Sequence, residues 1–447
     1  MTASTPHESS TEPSGTRQPW QIAAERQSQA GPETGWLSLR RTAALGRLGE
    51  SGLPNTGEED WRYTSLAAYT RRWTDYLVAP APAAAPGHPS PPPGVSAGIT
   101  VDIVDGVLQV PAGGLPACLP AGLTVRSMNP RGPTGPAEDL LRRLDARPAD
   151  SLVDLNTALL ADVVLVTTAP GAHIAEPVHV RAVSRGGPGF AQPRLLVDLA
   201  PGSQLTLILE HSGRGGALVN AVADIWLARD SRLDLVRVQS LPDDGMLTET
   251  TRIEVGEAAS VAVTSVDLGS QLSRHAITVA LAGTGASATL DGLFLADGHR
   301  HIDNRTLLEH RAPQTTSRET FRGIADDHGR GIFNGKIIVL PGAPGSNATL
   351  TNRNLLLSST AEIDTKPELE IYVDDVRCSH GATTGQLDAA ALFYLRSRGL
   401  DPATARQVLT SAFLRQGLES IGVPAFRSRL DAQLQARLAG PAAGGAA

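Results

Sequence analysis

The sequence predicts a mainly β protein: a right-handed parallel β-helix core flanked by N-terminal and C-terminal helical regions. Three observations carry that prediction. First, a repeat runs through the middle of the chain, where small or polar turns precede strand-like segments. Aligning His173, Ser203, Ser231, Ser260 and Ser287 gives steps of 30, 28, 29 and 27 residues. Units of that length, with short strands and no internal helix or L-x-x-L-x-L frame, favour a β-helix over helical or leucine-rich repeats. An ordinary large β-sandwich is the runner-up. Second, aromatic residues make up only 4% of the chain against 45 glycines, which suits aliphatic strands joined by tight turns. Third, the hydrophobic period changes to that of helices beyond Gln386.

These patterns divide the chain into residues 1–98, 99–386 and 387–447. The stretch up to Arg17 lacks an apolar run and reads as a disordered tail. Trp20 to Leu48 is helix-like, with Glu25, Arg26, Arg40 and Arg41 on a polar face. In E-E-D-W-R-Y-T-S-L at 58–66, Trp61 and Tyr63 are expected to form a small aromatic core that anchors the N-terminal region. Residues 79–98 are a Pro/Ala spacer tending to polyproline II, and His88 within it is incidental. One amphipathic helix, 137–147, interrupts the strands that begin at Ile99. Near the end, Asp388 caps a helix that runs to Gly399, and Asp401-Pro402 opens a second. That second helix would place Ala405, Val408, Leu409, Ala412 and Phe413 on one apolar face, and Leu430, Leu434 and Leu438 mark a third.

Charge and composition exclude several classes of function. A net charge of -7 and a pI near 5.9 leave no basic footprint for nucleic acid or an anionic membrane. No apolar run reaches the roughly 18 residues of a membrane span; the best, Ala158 to Val166, is broken by Asp162. The two cysteines, Cys118 and Cys378, form no disulfide framework and point to a reducing compartment, most simply the cytoplasm.

Candidate chemistry is sparse. G-R-G-I-F-N-G-K at 329–336 has the wrong glycine spacing for a phosphate loop and Ile337 where a magnesium-binding Ser or Thr belongs, so it reads as a glycine-rich strand turn. His299, His301, His310 and His328 form a loose set; His299 and His301 would share a strand face, but no C-x-x-C or H-E-x-x-H accompanies them. Asp326-Asp327 and Asp374-Asp375 are adjacent pairs that point to opposite faces of a strand, unsuited to paired acid and base work. Cys378 and His380 stand apart because they end a strand-like run just before a helix. Leu369, Ile371 and Val373 alternate with Glu368, Glu370 and Tyr372, and that register, continued, puts Cys378 and His380 on the glutamate face, away from the core. A bulge or turn at Asp374-Asp375 would reset the faces. The bland alternative is an inert cysteine beside a surface histidine.

Residues 351–400, with E-D-W-R-Y-T at 59–64, L-N-T-A-L at 155–159 and G-I-F-N-G-K-I at 331–337, resemble the SufB/SufD family of iron-sulfur cluster assembly proteins. C-S-H-G-A at 378–382 is similar to the SufD branch; the SufB branch has Glu at the place of Gly381. The resemblance implies a β-helix with helical flanks and a cytoplasmic complex in which this chain pairs with a SufB-type scaffold. Each scaffold would hold a SufC-type ATPase through its C-terminal helices. It further implies a non-catalytic scaffold role, with Cys378 and His380 as interface residues for a shared cluster. Phe393, Leu395, Val408 and Phe413 would lie in the helices that feel the ATPase. Clusters need about four thiolate or equivalent ligands, so two cysteines cannot hold one conventionally. No cofactor is expected to bind this chain tightly by itself, a flavin on the complex is mapped to no residue, and a homodimer of the lone chain stays open. Where family members carry an Asp-Ala-Gln-Lys-like turn, this chain has P-G-A-P-G-S at 341–346, and the Pro/Ala spacer looks like a lineage-specific insertion. The alternative is a stand-alone β-helix enzyme acting on a polymer or small metabolite.

Overall fold

A computed structural model of the chain describes residues 18–29, 36–78, 98–110, 119–128, 140, 143–144, 150–187 and 189–438. The N-terminal tail, the Pro/Ala spacer before Gly98, Cys118 and most of the 137–147 helix candidate fall outside them. Helices α1 (Pro19–Gln29), α2 (Trp36–Ser51) and α3 (Ala67–Val78) come first. The strands then follow: β1 (Ile99–Val104), β2 (Val107–Gln109), β3 (Leu123–Ser127), β4 (Val164–Thr168), β5 (Val178–Ser184), β6 (Arg194–Leu199), β7 (Gln204–Gly213), β8 (Leu218–Leu227), β9 (Arg232–Gln239), β10 (Met246–Val255), β11 (Ser260–Asp267), β12 (Leu272–Leu281), β13 (Ser287–Ala296), β14 (His301–His310), β15 (Thr316–Ala325), β16 (Arg330–Val339), β17 (Ser346–Leu356), β18 (Glu362–Ile371) and β19 (Val376–Gly385). Helix α4 (Ser151–Leu159) precedes β4, and α5 (Ala389–Ser397), α6 (Pro402–Arg415) and α7 (Pro424–Leu438) close the fold.

The strands form a parallel β-solenoid of two facing sheets. From β5 onward, odd-numbered strands stack in one sheet and even-numbered strands in the other, so two consecutive strands make one coil. Only the β1–β2 and β3–β4 pairs are antiparallel among the described ladders. The physical logic is the repeat: Gln204, Arg232, Ser260, Ser287, Thr316 and Asn347 are register partners down one sheet. The sequence alignment slips by one at His173, Ser260 and Ser287, which all fall in the row of Gln204 and Arg232, while the corner beside Ser231 is taken by Ala259. Corner positions take small residues of several kinds, and their hydroxyls close the turn: Ser203 donates to the Ala200 carbonyl at 2.7 Å and Ser346 to that of Ala343 at 2.8 Å.

Side chains at alternate positions point into the bore and stack on like positions above and below. Leu207, Leu235, Val263 and Leu290 form one such column, all buried. Burying a Leu or Val side chain is worth about 1.5–3 kcal/mol, and a coil can bury its inner face only against its neighbours. Gly292 and Gly323 leave room for the rings of Phe321 and Phe294, which a Cβ at either position would meet at 2.0 Å.

The helices cover the outer faces. Trp61, Tyr69 and Trp73 are buried with Leu155, Leu218 and Met246 in one cluster, so the N-terminal segment is strapped to the even-stranded sheet. Thr64 fixes the strap: its hydroxyl donates to Asp303 at 2.5 Å and lies 3.0 Å from His301 Nε2. On the other sheet, Leu414, Leu418, Phe426, Leu430 and Leu434 pack against Ile208, Val238, Leu268 and Leu293. The buried side of α6 is Ala405, Thr410, Ser411 and Leu414, whereas Val408 and Ala412 are exposed. This rotates the face expected from the sequence, because α6 docks on a sheet rather than only on its neighbouring helices.

Candidate functional site

The site is the last coil. β18 and β19 stand at the ends of their sheets, each with one side of its backbone unpaired. Neither strand has a fully buried residue, in contrast to β16, where Phe333 and Ile337 are completely enclosed. Leu369, Val373, Val376 and Cys378 pack downward on the core yet remain partly open above it. Open edges over an apolar cross-section are a template for another strand.

Cys378 and His380 face differently from the sequence expectation. The run 366–378 is two strands, not one, and the turn at Asp374-Asp375 lets the chain cross from one sheet to the other. The turn is closed by the Val376 amide on the Asp374 carbonyl at 3.0 Å and by the Gly345 amide on that of Asp375 at 2.7 Å. Register then puts Cys378 beside Ala348 and His380 beside Leu350, two buried bore residues. Both side chains therefore belong to the inward rows, at the open mouth of the bore. Glu368 and Glu370 lie on the outer face, paired with Lys366 at 2.5 Å and Lys336 at 2.6 Å. β19 also runs on to Gly385, so the two residues sit early in a strand and not at its junction with α5.

Burial raises the Cys378 thiol above its ordinary range, with the Ala348 backbone amide acting in the opposite sense. Metal binding there must displace a proton, since the thiolate is the ligand. His380 is exposed. Among the described residues no three His, Cys, Asp or Glu side chains are grouped to hold a metal ion. Two donors two residues apart supply half of what a cluster takes.

The histidine set disperses. His299 lies in a turn and stacks on His328 of the next coil with centroids 5.0 Å apart, so it does not share a strand face with His301. His301 opens β14 and faces Thr64 of the N-terminal strap, and His310 is buried between Thr315 and Ser317 at 2.8 Å from each. Phe393 is 73% exposed and Val408 43%. Leu395 is half-buried, and Phe413 is half-buried against the solenoid with the Arg322 guanidinium 5.4 Å from its ring. Helix α5 has no buried residue and is held by α6, with Asp388 accepting from the Ala390 amide at 2.8 Å.

Residues 181–413 match the family model for the SUF system FeS cluster assembly SufBD core domain. The chain belongs to the SufBD family. SufD of Escherichia coli is 30% identical over 408 residues, covering 89% of this chain and 92% of that protein. A SufBD family protein of Synechocystis is 29% identical over 428 residues, covering 92% and 93%. A SufBD family protein of Mycobacterium tuberculosis is 29% identical over 284 residues, covering 61% and 70%. As a SufD homologue, this SufBD protein is an iron-sulfur cluster assembly protein. Among its described residues no helix is long and apolar enough to cross a membrane.

Charged residues inside the solenoid are absent from the sequence reading. Glu319 shares an inward row with His380, two coils below it, and Arg237, Glu249 and Asp267 lie deeper. Alternation holds the signal: in S-R-E-T-F at 317–321, Ser317, Glu319 and Phe321 have one parity.

Proposed function

We propose that this chain is a non-catalytic scaffold subunit of a cytoplasmic SufB-SufC-SufD type complex, and that the uncovered last coil is its contact with a SufB-type partner. The observation that carries the proposal is the mouth of the bore, where Cys378 and His380 stand on an unpaired edge strand. A partner strand added to β19 would satisfy that edge and bring further ligands to the pair. The nascent cluster is then cargo shared between two chains. Residues 387–447 form the ATPase-binding domain in this reading, with Phe393, Leu395 and Val408 and the open side of Phe413 as the contact. A 73% exposed Phe on a helix with no buried residue is an unsatisfied apolar surface. Nucleotide binding in the ATPase acts on the site only by favouring one of two arrangements of the subunits.

Co-expression with SufB-type and SufC-type partners tests each part. Tagged wild-type chain is expected to recover both. Phe393→Asp should lose the ATPase while keeping the scaffold partner, since it touches only the helical domain. His380→Ala should keep the complex and lower the rate of cluster formation, followed by visible absorbance, at least about tenfold, the effect of losing roughly 1.4 kcal/mol of ligand stabilisation. Assembly at the wild-type rate in His380→Ala would remove the site assignment, and failure to recover either partner would remove the scaffold reading.

A further inference from the structure

Two glycines of the edge strand β19 serve nothing within this chain. In the other strands a glycine makes room for a neighbour: a Cβ at Gly292, Gly323, Gly331 or Gly335 would meet a Phe or Leu side chain within 2.6 Å, and one at Gly213 the Ser184 carbonyl at 2.7 Å. Gly381 and Gly385 would meet nothing within 4 Å, and neither has the positive φ that calls for glycine. Glycine inside a strand costs conformational entropy and packs nothing, and it marks places where another backbone comes close. Register with Thr351 and Leu355 sets both glycines on the outward row of β19, either side of Thr383 and beside the unpaired edge.

The same face carries positive charge. The outward rows of β15, β17 and β19 hold Arg318, Arg322, Arg353 and Arg377 and no acidic residue. Arg318 is held by Asp291 at 3.3 Å, and the Arg322 guanidinium lies over Phe413 with Asp291 and Glu419 within electrostatic reach. Arg353 and Arg377 are exposed and make no ion pair among the described residues. Arg322 and Arg353 are direct register partners, and like charges set opposite each other are unfavourable until something negative lies over them. On the other sheet the outward row of β18 is Glu362, Asp364, Lys366, Glu368 and Glu370. A negative segment is therefore drawn to the β19 side of the open coil and turned away from the β18 side.

We propose that the outward face of β19 seats an extended acidic segment of the scaffold partner, its backbone lying against Gly381 and Gly385 and its carboxylates on Arg353 and Arg377. This rests on the reading of the last coil as the contact with that partner. Arg377 and Thr383, the register partner of Arg353, are six residues apart, roughly 20 Å at the rise of a strand. Two carboxylates six positions apart in an extended segment share one face and match that span. A guanidinium receives a carboxylate through two parallel hydrogen bonds, so each contact also fixes register. A side chain added at Gly381 or Gly385 would hold the segment off the sheet and separate both pairs.

The test is the affinity of the full chain for a purified SufB-type scaffold, measured by biolayer interferometry, beside urea unfolding of the lone chain. Gly381→Val with Gly385→Val is expected to weaken the complex at least about tenfold. The unfolding midpoint of the lone chain should stay unchanged or rise, because Val suits a strand and the space is open. Arg353→Glu with Arg377→Glu should weaken the complex by a similar factor and flatten its dependence on salt. Wild-type chain that does not bind overturns the scaffold reading and the seat with it. Binding by the wild type that neither pair of substitutions changes overturns the seat alone, as does a midpoint lowered by the valines, which makes the glycines structural. Loss of a SufC-type ATPase, or of a dimer of this chain, with the scaffold retained overturns the choice of occupant.

Discussion

Replacing Glu319 by Gln is expected to stabilise the protein most at alkaline pH and to flatten the pH dependence of its unfolding. Glu319 is 1% exposed in an inward row between Leu290 and Leu350. The Thr306 hydroxyl donates to its Oε1 at 2.5 Å, and Oε2 has no partner. Burial pushes the carboxyl from 4.5 up to about 8, with the Thr306 hydrogen bond acting against it. Between those values the folded chain keeps a proton that the unfolded chain has lost. Stability therefore falls as pH rises through this window, by about 1.4 kcal/mol per pH unit. Buried histidines act in the opposite sense lower down: burial pushes His275 and His310 from 6.5 to about 4, so the stability they contribute is present above 6.5 and lost as pH falls through 4. The clean comparison is urea unfolding at about pH 6.5 and about pH 9, where Glu319 should cost the wild type about 2 kcal/mol. Gln cannot ionise and keeps the Thr306 contact. Parallel pH profiles for the two proteins would show that Glu319 does not hold its proton in the bore.

Arg237→Met is expected to destabilise the fold by about 3–5 kcal/mol, the usual consequence of removing one partner from a buried ion pair. The Arg237 side chain is 1% exposed, with Nε donating to Glu249 at 2.8 Å and Nη1 to Asp267 at 2.5 Å. Burial works to raise the Glu249 carboxyl, yet Arg237, followed by His211 and His275, holds it well below its ordinary value. Without the guanidinium, two carboxylates remain in the bore with only histidines and hydroxyls to face them. Adding Glu249→Gln and Asp267→Asn removes the stranded charge and should recover much of the loss. If Arg237→Met alone matches the triple variant in chemical denaturation, the charges in the bore are not coupled through Arg237.

Periodicity made most of the solenoid legible. Its rungs are parallel and in register, so a step of about 28 residues in sequence is one step in space, and the small residues at Ser203 and Ser231 mark its corners. The slip at Ser260 and Ser287 arises because Ala259 and Ala286 serve at a corner as well as Ser does. Cys378 and His380 were legible as a pair, but their face was not. A period of two holds only within one strand, and the Asp374-Asp375 crossing between sheets resets it.

The chain alone determined the architecture and singled out Cys378 and His380, because repeat length, glycine turns and helix caps are local along the sequence. The packing of one coil on the next set where those residues point and what surrounds them. It placed Cys378 and His380 over the mouth of the bore and Glu319 beneath them. Burial, unpaired edges and proton affinity depend on neighbours one or more coils away, which no window along the chain contains.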